Sequence, residues 1–350
     1  MRLSIVILNW NTKDYLRKFL PGLIESVQGA DAGVIVADNG STDGSVSMLE
    51  EEFPSVRVLP FKENHGFTGG YNKAFDIIYE ELRPEYFLLI NSDIEVVPGW
   101  LQPLIAHMDA HPQCGACSPK LLSWYDRGSF EYAGAAGGFM DKFGYTFCRG
   151  RLMKEVERDE GQYDGVKDVF WASGAFLMVR SSVFKELGGL DERYFAHFEE
   201  IDLCWRMQVR GLRVSVVPQS VAYHLGGGTL PNDSPWKLKL NYRNTLLTLE
   251  NNLADTYAPY EGQEKAVRHA RKTICIRMMM DALSAAVYLL SGKPSYFRSV
   301  LDAHKEFRRM RTGPAVHNGT QKAYVPLYPH WIIPRAMFCR KKMIETIHNL

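Results

Sequence analysis

Residues 3–8, Leu-Ser-Ile-Val-Ile-Leu, run straight into Asn9, Trp10 and Asn11. A short apolar run stopped by polar residues reads as a buried strand. The pattern repeats at residues 34–37, 56–59 and 86–90. Between the runs lie stripes at helical spacing. Leu16, Phe19, Leu20, Leu23, Ile24 and Val27 form the first. Val46, Leu49 and Phe53 form the second, with Thr42 or Asp43 placed to cap it. Residues 71–82 form the third, which ends before Pro84. Strands and helices alternating in this order predict a mostly parallel sheet covered on both faces.

Ligands of such sheets sit beyond the carboxyl ends of the strands. The residues found there are Asn9-Trp10-Asn11, Asp38-Asn39-Gly40-Ser41, Asn64 onward, and Asn91-Ser92-Asp93. Four strand ends carrying Asn, Asp and an aromatic ring make a rim suited to a nucleotide. No G-x-G-x-x-G follows the first strand and no G-x-x-x-x-G-K-[ST] occurs, so neither a dinucleotide fingerprint nor a P-loop is present.

Composition narrows the class further. The 350 residues are 46% hydrophobic, enough for a real core in one large or two modest domains. Basic and acidic side chains number 41 and 40, and a formal charge of +1 argues against nucleic acid as the main partner. Of six cysteines, only Cys114 and Cys117 form a C-x-x-C pair, which fits reduced thiols of a cytosolic protein better than structural zinc. Residues 3–8 are too short for the core of a signal peptide. No stretch reaches the ~20 apolar residues of a spanning helix. The nearest, residues 274–290, is interrupted by Arg277 and Asp281.

Taken in order, SIVILNWN (4–11), IVADNGSTDGS (35–45), NHGFTGGYNKA (64–74) and YFLLINSDIEVVPGWL (86–101) resemble the donor half of family-2 glycosyltransferases with the GT-A fold. The likeness continues through residues 169–214, which contain HFEEIDLCWR, and through AYHLGGGT (222–229). It is nearest to the rhamnosyltransferase-like branch and covers roughly residues 1–250. It implies an α/β, GT-A type, Rossmann-like mixed and mostly parallel sheet flanked by helices, with a C-terminal helical extension. The expected limits are 1–245 for the glycosyltransferase domain and 246–350 for the helical region. Within the first, the donor half is about 1–110 and the acceptor half about 111–245.

The same resemblance implies roles for single residues. Trp10 stacks on the donor's pyrimidine, Asp38 accepts a hydrogen bond from it, and Asn9 and Asn39 line the donor site. In the block with Asn64, Gly66, Gly69, Gly70 and Asn72, glycines let backbone approach the donor and a helix start offers N–H groups to a diphosphate or ribose. Asn91-Ser92-Asp93 stands where the family has Asp-x-Asp. Asp93 matches the metal ligand, while Asn91 departs from the acidic first position and keeps only hydrogen bonding. His224 matches a histidine that completes the metal site. A divalent ion, Mg²⁺ or Mn²⁺, neutralises the leaving diphosphate. The glycines 226–228 are expected to form a loop that closes over donor and metal. Glu200 matches the general base, where many relatives carry Asp. Glu199 and Asp202 are expected to support it or contact the acceptor, and Trp171, Ser173, Gly174 and Asp191 to line the acceptor side.

Each of these residues also has a plain structural explanation. Asp38 and residues 91–93 suit turns. Acids favour the helix N-terminus near residue 199. Trp171 suits a core.

The expected function is inverting transfer of a sugar from a nucleotide-sugar donor to a hydroxyl of a glycan or lipid-linked acceptor, in cell-surface polysaccharide synthesis. A nucleotidyltransferase or a non-catalytic carbohydrate-binding protein on the same scaffold is the alternative. Beyond residue 245 the motifs stop. Arg268, Arg271, Lys272 and Arg277 flank Ile274, Ile276 and three methionines, and Lys341 and Lys342 follow Trp331 and Phe338. Basic beside apolar residues suits peripheral contact with the inner face of an anionic membrane by a cytoplasmic enzyme. A solvated helix packed on the catalytic domain explains the pattern as well.

Overall fold

The computed structural model describes residues 1–226, 234–317 and 325–350. The first half alternates as the periodicities require: β1 (Leu3–Asn9), α1 (Lys13–Ser26), β2 (Ala32–Asp38), α2 (Ser45–Glu52), β3 (Arg57–Pro60), α3 (Gly66–Leu82) and β4 (Tyr86–Ile90). Next come β5 (Ile94–Val96), α4 (Leu101–Ala110) and β6 (Cys114–Ser123). A small sheet follows, made of β7 (Gly138–Met140), β8 (Thr146–Cys148), β9 (Arg151–Leu152) and β10 (Glu155–Val156). The chain then forms β11 (Lys167–Asp168), β12 (Phe176–Arg180), α5 (Ser181–Glu186), a 3-10 turn (Glu192–Tyr194), α6 (Glu199–Val209) and β13 (Arg213–His224). The helical part is α7 (Pro235–Glu261), α8 (Gln263–Leu290), α9 (Pro294–Met310), α10 (Ile332–Phe338) and α11 (Arg340–Asn349).

In the main sheet β3, β2, β1 and β4 are neighbours in that order and all parallel. β12 lies antiparallel between β4 and β6, so β6 runs parallel to β4, and β13 is parallel to β6. The carboxyl ends of β1, β2, β4 and β13 therefore meet at one edge. The short β5 and β11 pair antiparallel with β13.

Burial explains the strand readings. Along β1, Leu3, Ile5 and Ile7 pack with Leu16, Leu20 and Leu23 of α1, while Val6 faces the opposite layer with Phe75 and Phe87. That second layer also contains Leu246, Leu249, Leu253, Phe307 and Ile347. The C-terminal helices thus share a core with the sheet, and α7 runs across position 245/246, where the domain limit was expected.

Three local expectations are corrected. α3 begins at Gly66 rather than near residue 71, so Gly69 and Gly70 lie inside the helix. The N-cap of α2 is Gly44, although Asp43 still accepts the Ser45 N–H at 3.0 Å. α8 does contain a segment long and apolar enough to cross a membrane, with mean hydropathy 1.5. Arg277 and Asp281 lie within this helix and pair with each other one turn apart at 2.8 Å.

Candidate active site

The first carboxyl edge is built on Asn9. Its Nδ2 donates to Asp38 Oδ1 at 2.7 Å and to Ser41 Oγ at 3.0 Å, and its Oδ1 accepts from Thr12 Oγ1 at 2.6 Å. Asp38 Oδ2 accepts the Ser41 N–H at 2.9 Å. Asp38 is 2% exposed and forms the floor of this edge, with lone pairs left for one more donor. Trp10 stands beside it with 40% of its surface open.

The β4 end carries the second part. Asn91 donates its N–H to Ala175 O at 3.0 Å, and Ser92 Oγ lies 2.9 Å from Thr12 Oγ1, where it can donate to that hydroxyl oxygen. Asp93 is buried. Its Oδ2 accepts the Gly226 N–H at 3.2 Å, and its Oδ1 lies 3.3 Å from His224 Nε2. His224 reaches this place because β13 ends at the same edge as β4. On its other side, His224 Nδ1 is 3.4 Å from Glu131 Oε1. Burial disfavours the imidazolium, yet the bonds and charges of Asp93 and Glu131 outweigh it and lift the His224 pKa to about 10.

Among the described residues, no group of three or more His, Cys, Asp or Glu side chains is arranged to hold a metal. Asp93 offers a carboxylate oxygen, and His224 beside it a ring nitrogen once an ion displaces its proton. That donor set fits an ion that draws its remaining ligands from a bound diphosphate and water. Glu131, not anticipated from sequence, flanks the other side of the imidazole at ion-pair distance, where a carboxylate favours one ring orientation. Gly227 and Gly228, part of the expected closing loop, lie outside the described residues.

Glu199 and Glu200 open α6. Neither Glu199 Oε2 nor Glu200 Oε2 has contact with solvent or a hydrogen-bond partner among the described residues. Burial raises the Glu200 pKa to about 7 against the opposing pull of backbone N–H groups at the helix start. Burial and the Glu200 charge push Glu199 well above the usual carboxylate range. Gly174 lies directly against Glu200. A Cβ there would stand 3.2 Å from Glu200 Cβ. The 173–175 turn, through Ala175, is also what Asn91 bonds to, so the Glu200 and Asp93 segments share one support.

The approach to Glu200 is strained. Phe195, His197 and Phe198 all have positive φ, at 64°, 70° and 73°. Each non-glycine residue held so costs on the order of 1–3 kcal/mol. The hold comes from α7. Asn244 Nδ2 donates towards Tyr194 O, Ala196 O and His197 O at 3.2, 2.8 and 2.6 Å, and Arg243 adds a bond to Tyr194 O at 2.7 Å. The sequence reading missed both, because they lie beyond the last block of motifs. His197 Nε2 is buried without a hydrogen-bond partner among the described residues. Burial, helped by the Lys237 charge, drops the His197 pKa to about 4.

Several expected contact residues turn out to be scaffold. Asn39 donates to Asn64 Oδ1 and Gly66 O and accepts from His65 N–H. Asn64 Oδ1 accepts the Gly66 N–H. The next N–H groups of α3, from Phe67 and Thr68, are taken by Phe195 O at 2.7 and 3.3 Å. The start of α3 is therefore satisfied within the protein rather than offered to a diphosphate. Gly70 is small because Leu8 and Asn39 press on it, and Gly69 because His65 does. Asn72 ties α3 to Leu190 through both its amide groups.

On the acceptor side, Trp171 is not a stacking surface. Its indole lies against Gly138 and donates to Phe139 O at 3.0 Å. Asp191 is half-buried, pairs with Arg193 and accepts from Asn251. Asp202 is fully buried, holding Arg206, Tyr194, Asn251 and Asn252. Ser173 remains at the turn beside Gly174, bonded weakly to Ala175 N–H at 3.4 Å.

Comparison with known proteins gives the family and the fold. The family model described as "Glycosyl transferase family 2" matches residues 4–188, more than half of the chain. The N-acetylglucosaminyl-diphospho-decaprenol L-rhamnosyltransferase of Mycobacterium tuberculosis is 27% identical over 71% of this chain and 83% of its own. The rhamnosyltransferase WbbL of Escherichia coli is 26% identical over 68% and 90%. Among solved structures, Staphylococcus aureus TarS 1–349 with UDP-GlcNAc superposes with TM-score 0.50 at 14% identity, over 94% of this chain and 100% of that one. The mannosyltransferase PcManGT of Pyrobaculum calidifontis, solved with GDP-Man and Mn²⁺, gives TM-score 0.50 at 13% identity, over 88% and 87%. These two show the shared fold. The chain belongs to glycosyl transferase family 2 and is a rhamnosyltransferase-like, inverting enzyme that uses a nucleotide-sugar donor.

Proposed function

We propose that this enzyme transfers a rhamnosyl-type deoxysugar to a lipid-linked saccharide, with Glu200 as the general base. The observation that carries the reading is the Glu200 carboxylate. One of its oxygens has no partner among the described residues, its pKa is near 7, and it shares a support with the Asp93 segment. Trp10 and Asp38 hold the donor's base. Asp93 and His224 would hold the divalent ion, which when bound would supply charge neutralisation to the leaving diphosphate.

Glu200 takes the proton of the acceptor hydroxyl as its oxygen bonds to the anomeric carbon. The bond from that carbon to the diphosphate breaks on the opposite face, so the configuration inverts. The sugar and acceptor are drawn from the names of the two relatives. A cytoplasmic enzyme working at the membrane face, where lipid-linked acceptors reside, completes the proposal. The test incubates the enzyme with thymidine- and uridine-diphosphate sugars and a polyprenyl-diphosphate saccharide. Release of nucleoside diphosphate that depends on the acceptor supports the reading. Release of pyrophosphate from nucleoside triphosphate and sugar phosphate would favour a nucleotidyltransferase instead.

A further inference from the structure

α8 turns two different faces outward and inward. Inward lie Ala270, Ile274, Arg277, Asp281 and Ala285, packed within the C-terminal helices, with His304 Nε2 of α9 3.3 Å from Asp281. Outward lie Met279, Ala282, Leu283, Ala286, Val287 and Leu290, one unbroken stripe at helical spacing. Leu283 is 68% exposed and Leu290 88%. The stripe with Cys275 spans 16 residues, roughly 22 Å at the helical rise. A contiguous apolar surface of this length marks a contact site.

Charge selects the occupant. The same outward face begins with exposed Arg268, Arg271 and Lys272; Arg268 pairs with Glu264 one turn earlier at 3.5 Å, which leaves Arg271 and Lys272 as the cations next to the stripe. The neighbouring α9 exposes Arg298, Lys305, Arg308 and Arg309 against the single carboxylate Asp302. A second copy paired parallel along α8 would set cations on cations. Paired antiparallel, it would press Arg271 and Lys272 onto Val287 and Leu290. An anionic lipid surface meets both halves of the face, phosphates at the basic turns and acyl chains at the stripe.

We propose that α8 lies in the plane of a membrane containing anionic lipid and docks the enzyme through this stripe. The inward pairing of Arg277, Asp281 and His304 keeps it lying on the bilayer rather than crossing it. The proposal deepens the reading of a lipid-linked acceptor and rests on it for its purpose, but not for its test.

The full chain is sedimented with vesicles of phosphatidylcholine alone or mixed with phosphatidylglycerol. Binding is expected only to the mixed vesicles, and high salt should weaken it. The double variant Leu283→Asp with Val287→Asp should bind about tenfold or more weakly, the loss of two buried apolar side chains. Its donor hydrolysis in solution should match the parent. Equal vesicle binding by parent and variant overturns the proposal. So does a parent that is dimeric in solution and a variant that is monomeric, which assigns the stripe to a second copy. If both proteins bind vesicles as expected but neither turns over a nucleotide sugar, the docking stands and the catalytic reading fails.

Discussion

Asn244 Nδ2 meets His197 O at 2.6 Å, although the two residues are 47 positions apart and belong to different elements. With its further contacts to Ala196 O and Tyr194 O, this amide holds the left-handed turn that leads into the base. Asn244→Ala leaves buried carbonyls unpartnered, at about 1–3 kcal/mol. Both a lower Tm and a lower kcat are expected, with the affinity for nucleoside diphosphate little changed. A variant with lower Tm but parental kcat at low temperature would show that the turn does not position Glu200.

Gly174→Ala tests the support under the base. Its new Cβ would press on Glu200 Cβ at 3.2 Å and Cγ at 3.4 Å, tighter than ordinary contact. The side chain can yield only by moving the carboxylate. A displacement of this size is expected to lower kcat by about tenfold or more. Titration calorimetry should find donor binding intact. Unchanged kcat would mean that Glu200 tolerates displacement and is not held for chemistry.

The pH profile follows from the raised Glu200 pKa. A base must be ionised to act, so activity is lost as pH falls through about 7 and is level above it. The limb should appear in log kcat/KM, which reports the free enzyme. A limb near the ordinary carboxylate range would contradict a Glu200 base whose pKa is raised.

The chain order of strands was legible because β1, β2 and β4 are buried runs ended by polar residues, and Asp38, Asp93 and His224 fell at the edge that this order implies. What misled was contact across the sequence. Phe195 closes the start of α3 from some 130 residues away, which no local reading of Asn64 to Asn72 could reveal. Trp171 and Asp202 look like site residues because their neighbours are, yet period and spacing do not say that Gly138 makes room for the indole or that Asn251 and Asn252 reach Asp202. Glu131 lies in a stretch with no pattern of its own and becomes visible only beside His224.

Trp10 separates base stacking from folding. Being exposed, it can be removed without a core cavity, so Trp10→Ala should keep the parental Tm. Loss of a base stack typically costs about 1–3 kcal/mol of binding. Nucleoside diphosphate affinity, measured by calorimetry, should fall accordingly. Parental affinity in this variant would move the base away from Trp10.

Metal dependence is read from the pair Asp93 and His224. Chelator should reduce both donor affinity and turnover, and Mn²⁺ or Mg²⁺ should restore them. His224→Ala should require more metal for the same turnover. Full activity in chelator would remove the ion from the account.

The most direct test of the central claim compares Glu200→Gln with Glu199→Gln for sugar transfer at saturating donor. Glutamine keeps the size but cannot take the proton. For Glu200→Gln the account predicts a loss of about 10²–10⁴ in rate with donor affinity retained, and for Glu199→Gln a milder loss. Near-parental transfer by Glu200→Gln, or a deeper loss in Glu199→Gln, would contradict it.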